Sequence, residues 1–343
     1  MRTVLLIGGT GTISTAVTRR YVSEGWDVTV LNRGNRNDTL PREVHVLSCD
    51  VWDPEARARV LKDRSFDTVC QFIGFIPAQV EADIRFFAGR CGQYMYISSA
   101  SAYHKPCPSP FITESTSLVN PYWQYSRDKI ACEELLMRAH REDAFPCTII
   151  RPSHTYSERS MPVGVHGKMG SWAVLHRMMQ GRPVLIHGDG TSLWTVTWNE
   201  DFAMAFVGLS GNPHAVGECF HITSDETLTW NQIHQVIADA LHVPLRAVHV
   251  SSEFLSASSD YDYSGSLLGD KAESVIFDNA KVKRFVPGFQ ATTRFDQGAR
   301  KVLDYVLNHP EAQVEDPAFD HYTDEVIAAL ESAVQRVRSS LQT

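Results

Sequence analysis

The chain lacks any apolar run of membrane-spanning length, and it enters a strand directly, with no basic stretch or cleavage-like site ahead of it. A cytoplasmic protein with no membrane partner is therefore expected. It also lacks a Cys-x-x-Cys pair. Its seven cysteines (Cys49, Cys70, Cys91, Cys107, Cys132, Cys147 and Cys219) are odd in number and scattered, several of them in apolar runs. Buried free thiols in a reducing compartment fit that pattern better than disulfides. The 14 histidines show no His-Glu-x-x-His or similar spacing, so no metal site is expected. Positive charge is in short supply as well: 32 Lys and Arg stand against 40 Asp and Glu, a formal net charge of -8. That balance disfavours non-specific nucleic-acid binding, and no nucleic-acid partner is expected. Internal repeats and low-complexity tracts are absent.

What is present is enough to bury a large core. With 343 residues and 43% hydrophobic content, the chain has room for two domains, or for one domain with a substantial insertion. Its first half alternates strands and helices. Strands are expected at Val4–Ile7, Asp27–Leu31, Val44–Leu47, Thr68–Phe72, Gln93–Ile97 and Cys147–Ile150, with helices at 13–21, 54–61 and 124–140. Strands separated by helical segments imply right-handed crossovers, and hence an α/β fold with a doubly wound parallel sheet of the Rossmann type. From Arg151 the pattern breaks. Residues 153–170 read as loop, 172–180 as helix, 184–187 and 219–222 as short strands, 230–241 as helix and 251–270 as a long loop. In the last segment, 324–341, Ile327, Leu330, Val334, Val337 and Leu341 stand at helical spacing, which predicts a helix packed on its own domain. The expected division is a dinucleotide-binding domain over 1–152, to which 193–223 returns. A smaller substrate-binding region with C-terminal helices then takes 153–192 and 224–343.

The first strand runs into Gly8-Gly9-Thr10-Gly11-Thr12-Ile13-Ser14 and then a helix. A strand feeding a glycine turn that opens a helix is dinucleotide-binding geometry. The glycines admit a pyrophosphate close to the backbone, and the helix N-terminus offers free N–H groups and a positive dipole end. Gly8, Gly11, Thr12 and Ile13 are the candidate phosphate contacts. At the end of the second strand, where an acidic residue would bind the 2′-hydroxyl of NAD and an arginine the 2′-phosphate of NADP, stand Asn32-Arg33-Gly34-Asn35-Arg36. Asn32 and Arg33 thus tilt the expected cofactor toward NADP over NAD, although Arg33 could also stack on the adenine. Asp50 and Val51, just past the third strand, either meet the adenine edge or, for Asp50, cap a helix.

Two stretches carry candidate chemistry. The fifth strand ends in the hydroxyl cluster Ser98-Ser99-Ala100-Ser101, and Tyr125-Ser126-Arg127-Asp128-Lys129 opens a long helix. Tyr125 and Lys129, four apart, share a helix face. An ammonium beside a phenol favours the phenolate and lowers its pKa from about 10 toward working pH. A phenol so tuned can take or return a hydroxyl proton while hydride moves to or from a nicotinamide. A serine hydroxyl nearby would orient the same substrate oxygen. His104, Lys105 and His154, in loops after strand ends, are further acid/base candidates that also read as substrate contacts or solvated side chains.

These motifs, with Asp50-Val51, Arg151-Pro152 and Trp198-Asn199-Glu200-Asp201-Phe202-Ala203, resemble the extended short-chain dehydrogenase/reductases of the epimerase/dehydratase branch, over nearly the whole chain. The resemblance implies a catalytic triad of Ser99, Tyr125 and Lys129, with Lys129 also holding the nicotinamide ribose. It places Pro152 at the cofactor and implies a homodimer formed through helices of the sheet domain. Four departures stand out. Ser14 replaces the third glycine and should slightly loosen helix–strand packing. Asn32 replaces the usual acid. Ala100-Ser101 occupies the place of the Asp-Glu pair that serves water elimination in sugar dehydratases. Trp194 stands where UDP-galactose 4-epimerase-like members carry a diphosphate-binding arginine, a stretch nearer the chloroplast stem-loop RNA-binding proteins. The expected activity is NAD(P)-dependent epimerisation of a polar, carbohydrate-like substrate through a transient keto intermediate. Net reduction or oxidation is the alternative, and a non-catalytic cofactor-sensing or RNA-binding role comes third.

Overall fold

The structure, a computed structural model, describes residues 1–342. Two compact units emerge. The first comprises Met1–Ser157, Thr195–Thr227 and Glu273–Arg294, and the second Glu158–Trp194, Leu228–Ala272 and Phe295–Thr343.

The first unit is built on seven strands: β1 (Thr3–Ile7), β2 (Asp27–Asn32), β3 (His45–Ser48), β4 (Phe66–Gln71), β5 (Cys91–Ile97), β6 (Cys147–Pro152) and β7 (Cys219–Ile222). They are all parallel, in the order β7-β6-β5-β4-β1-β2-β3. The order reverses at β1, so ligands are expected at the carboxyl ends of the strands around it. The central strands are mostly apolar because both faces are covered, with Thr68, Gln71 and Gln93 as buried polar exceptions. Val4 and Leu6 point into a core with α1 (Thr12–Ser23) and the helix Asn199–Leu209. Leu5 and Ile7 point into a second core with α2 (Pro54–Leu61), α3 (Pro77–Phe87) and α4 (Gln124–Asp143). Helix α3, which sequence patterning did not assign, buries Val80 and Phe87. Residues 273–294 also belong here, although the sequence assigns them to the C-terminal region. Ile276–Phe277 pairs in parallel with Phe111–Ile112, Val282 is fully buried, and the Asp201 carboxylate accepts the backbone N–H groups of Thr292 and Thr293.

In the second unit, Val184–His187 pairs in parallel with Ala247–Val250, and Leu193–Trp194 antiparallel with Leu228–Thr229. Helices at Trp172–Met179, Trp230–Ala240, Phe295–Asn308 and Pro317–Ser340 complete it. Two expectations are corrected. Residues 251–270 are not a long loop: they hold a helix at Ser252–Ala257 and a π-helix at Ser264–Lys271, which bury Leu255 and Leu267. The stripe on the last helix is not packed along its length. Phe319, Thr323 and Val326 at its N-terminal end are buried, whereas Val334, Val337 and Leu341 are exposed. Arg177, almost fully buried, anchors the buried end by donating to Asp320 and Asp324 at 2.6 and 2.7 Å. Among the described residues, no helix is long and apolar enough to cross a membrane, and no group of three metal-ligating side chains occurs. All seven cysteines are free.

Candidate active site

A cleft of about 900 Å³ lies in the first unit, lined by the residues that follow six of its parallel strands. Gly8 follows β1, Arg33 follows β2, Cys49 and Asp50 follow β3, Phe72 and Ile73 follow β4, Ser98 and Ser99 follow β5, and Ser153 follows β6. The glycine-turn, ribose-corner and triad candidates all line it: Gly8, Gly11, Thr12, Ile13, Asn32, Arg33, Asp50, Val51, Ser99, Tyr125, Lys129 and Pro152. His104, Lys105 and His154 do not. His104 pairs with the Ser117 hydroxyl, and Lys105 is buried with its ammonium 3.4 Å from Cys107 Sγ.

The glycine turn is shaped for a close ligand. Gly8 and Gly9 have φ of 116° and 61°, in the left-handed region that a side chain strains. A Cβ on Gly9 would also sit 2.6 Å from Val30 Cγ1. Helix α1 follows with no acidic residue in its first turn, so its N-terminal dipole end is not offset by side-chain charge. Ser14, in the place of the third glycine, is tied into the start of α1. It is buried, its hydroxyl accepts the Gly11 N–H at 2.8 Å, and its carbonyl accepts the Thr18 hydroxyl at 2.7 Å. Asn199 donates to the Thr12 carbonyl at 3.0 Å and so ties α1 to the helix packed beside it.

At the far end, Asn32 shapes a turn. Its side chain accepts the Gly34 N–H at 2.7 Å and donates to Asn37 at 2.8 Å. Arg33 and Arg36 are exposed on the cleft wall and engage no carboxylate among the described residues. Asp50 is not a helix cap. It accepts the Trp52 N–H, while Asp53 caps α2 by accepting from Glu55 and Ala56. The glycine cradle, the uncapped helix end and the unpaired guanidiniums all suit a bound dinucleotide phosphate.

The chemistry-bearing residues meet at the middle of the sheet. Lys129 is almost fully buried, and its ammonium donates to the carbonyls of Gly74 (2.8 Å) and Ile97 (2.7 Å) and to the Tyr96 hydroxyl (3.2 Å). Burial pulls its pKa down to about 8. Tyr125, half-buried one turn earlier on α4, holds its ring 5.7 Å from that ammonium and 4.9 Å from the Trp123 ring. Ser99 caps the short turn Ala100–Ala102 by accepting the Ser101 N–H. One turn beyond Lys129, the buried Glu133 accepts the Ser98 hydroxyl and pairs with Arg151 at 2.6 Å. That carboxylate outweighs the burial that disfavours the Arg151 charge, so the guanidinium stays firmly protonated and clamps α4 to β6.

Sequence reading missed Gly74, Tyr96 and the apolar wall of Phe72, Ile73 and Phe75. Their one local signal was a glycine among aromatics directly after the fourth strand. Trp194, at the place where the resemblance puts a diphosphate-binding arginine, lies inside its own unit. It is buried and stacked on Trp230, with ring centroids 5.6 Å apart.

A parallel, doubly wound sheet carrying a glycine turn, with serine, tyrosine and lysine on one cleft, defines an NAD(P)-dependent enzyme of the extended short-chain dehydrogenase/reductase type. The profile of the NAD dependent epimerase/dehydratase family matches residues 4–222, and the chain belongs to that family. Among its relatives is 2′-dehydrokanamycin reductase of Streptomyces kanamyceticus, 25% identical over 287 residues, which cover 84% of this chain and 80% of that protein. UDP-glucose 4-epimerase of Lactobacillus helveticus is 29% identical over 168 residues, 43% of this chain and 50% of that one. In fold, the chain is similar to the UDP-glucose 4-epimerase of Thermotoga maritima crystallised with UDP-glucose. The TM-score is 0.71 at 18% identity, covering 89% of this chain and 99% of that one.

Proposed function

We propose that this chain moves hydride between a bound nicotinamide cofactor and a hydroxyl-bearing carbon of a sugar-like substrate, and does so as an epimerase. The observation that carries the reading is the presence of Ser99, Tyr125 and Lys129 on the cleft that also holds the glycine turn. The cofactor, when bound, supplies the hydride acceptor and donor. The chain supplies the rest. Gly8, Gly11, Thr12 and Ile13 hold the pyrophosphate at the start of α1, and Asp50, Val51 and Pro152 border the rest of the cofactor. Arg33 carries the 2′-phosphate, with Arg36 beside it, and this makes NADP the preferred form. Tyr125 takes the substrate hydroxyl proton at its phenol oxygen as hydride leaves, and returns it when hydride comes back to the opposite face. The Lys129 charge favours the Tyr125 phenolate through space. All three of its N–H groups are engaged, so it reaches a ribose hydroxyl by exchanging one partner. The Tyr96 hydroxyl, the longest of the three contacts, also donates to the Gly74 carbonyl at 3.0 Å and is the one to give up. Ser99 donates to the substrate oxygen.

A second reading, net reduction of a sugar-like ketone, is supported by the reductase relative that aligns with 84% of the chain. Purified protein is offered UDP-glucose and free hexoses with no added cofactor, then 2′-dehydrokanamycin with NADPH or NADH. Epimer formation without change in absorbance at 340 nm supports epimerisation. Stoichiometric loss of NADPH replaces it with the reductase reading.

A further inference from the structure

Three serine hydroxyls form one chain running from the inside of α4 to the cleft. Ser126, fully buried, donates from Oγ to Ser101 Oγ at 2.7 Å, and Ser101 Oγ lies 2.8 Å from Ser99 Oγ. A hydroxyl has one proton and two acceptor sites. Ser101 accepts the Ser126 proton, which polarises its own hydroxyl and favours the direction of the 2.8 Å contact in which Ser101 donates to Ser99. Ser99 Oγ also accepts the Ser101 N–H at 3.2 Å, which fills both of its acceptor sites. The remaining Ser99 proton has one direction left, into the cleft that Ser99 shares with Tyr125. The backbone around this chain is fixed as well. Asn120, buried, donates to the Ser101 carbonyl at 2.8 Å and accepts the N–H groups of Tyr122 and Trp123, both at 3.1 Å, in the segment leading into the Tyr125 helix.

We propose that Ser126 and Ser101 are positioning residues that make Ser99 an obligate hydrogen-bond donor toward the substrate oxygen. This rests on the reading of Ser99 and Tyr125 given above. A serine free to turn can offer the substrate a lone pair instead of a proton. A lone pair repels the negative charge that builds on that oxygen as its proton leaves or as a ketone is reduced, whereas a fixed donor stabilises it. Ser126 is the polarising end. Without its donation, Ser101 loses the polarisation that favours its role as donor, and the Ser99 proton is free to turn toward Ser101 and away from the cleft. No bond between heavy atoms is made or broken in this device; it sets the direction of three protons.

Two measurements test it. In a neutron structure of the deuterium-exchanged protein, the Ser126 deuteron should point to Ser101, the Ser101 deuteron to Ser99, and the Ser99 deuteron into the cleft. A Ser99 deuteron directed at Ser101 overturns the proposal, whatever the substrate proves to be. In turnover, Ser126→Ala should lower kcat about tenfold, well short of the loss expected for deleting a whole oxyanion donor, with KM within about twofold. Added to Ser99→Ala, the same change should have no further effect. An unchanged kcat in Ser126→Ala, or an equal loss in the Ser99→Ala background, marks Ser126 as merely structural and overturns the proposal. Failure of the underlying reading looks different: full activity in Tyr125→Phe.

Discussion

The two units put their buried polar groups to different uses. In the first, Lys129, Ser101, Ser126 and Glu133 are buried at a cleft, and each is joined to a residue that lines it, directly or, for Ser126, through Ser101. In the second, Arg177, His187 and His234 are just as buried, and their hydrogen bonds end on carbonyls and carboxylates within that unit, for His234 the Trp230 carbonyl of its own helix. Burial of a polar group is therefore no mark of function by itself. What separates the two cases is whether the group's partners open onto space that a ligand can fill. Changes in the first set should move cofactor binding and rate. Changes in the second should move stability alone.

The largest effect is expected at the glycine turn. Gly9→Val forces a branched side chain into the left-handed region and against Val30, which should cost about 3 kcal/mol of stability and abolish cofactor binding. Thermal denaturation with and without NADP checks both. If NADP still raised the melting temperature of the variant as it does the wild type, the turn would not be the phosphate site. Next comes Lys129→Met, expected to lower kcat/KM about a hundredfold through loss of the charge beside Tyr125. In the wild type, kcat/KM should fall as pH rises through about 8, where Lys129 loses its proton. The variant should lack that limb.

The second unit offers the contrasting case. Burial pushes both His187 and His234 down to about 4 from an ordinary 6.5. Their neutral forms are favoured in the folded state, so the stability they confer is present above pH 6.5 and is lost as pH falls toward 4. His234→Leu should lessen that acid loss by roughly 2 kcal/mol in denaturant titrations at pH 4.5 and leave the rate at neutral pH unchanged. A large change in kcat would break the distinction between the units. The smallest effect falls at the ribose corner. Arg33→Ala with Arg36→Ala should weaken NADP binding about tenfold and leave NAD binding unaltered, as titration calorimetry would report.

Legibility in the sequence divides along the same line. The glycine turn, the strand-end serines and the Tyr125–Lys129 pair were readable because each is a local pattern imposed by chemistry: a positive φ, a strand end, a helical spacing of four. The central strands of the parallel sheet were readable because burial on both faces makes them predominantly apolar. What could not be read is assembled from distant segments. The three partners of Lys129 come from β5 and from the segment after β4, and the serine chain joins a turn at 99–101 to a helix 25 residues further on. The helices within 251–270 were hidden by their serine, glycine and aspartate content, which favours loops in isolation and is overridden here by burial of Leu255 and Leu267. Asp50 and Asp53 could each cap α2 by residue type, and only geometry separates them.

The central claim is that hydride passes between cofactor and substrate carbon while Tyr125 handles the proton. Reduced nicotinamide cofactor carrying two deuteriums at C4 should be loaded on the wild-type protein and on Tyr125→Phe, the keto form of the substrate added, and product from a single turnover analysed by mass spectrometry. The account predicts deuterium on the product carbon for the wild type and a transfer rate about a thousandfold lower for the variant. Unlabelled product from the wild type, or equal rates in the two proteins, would contradict it.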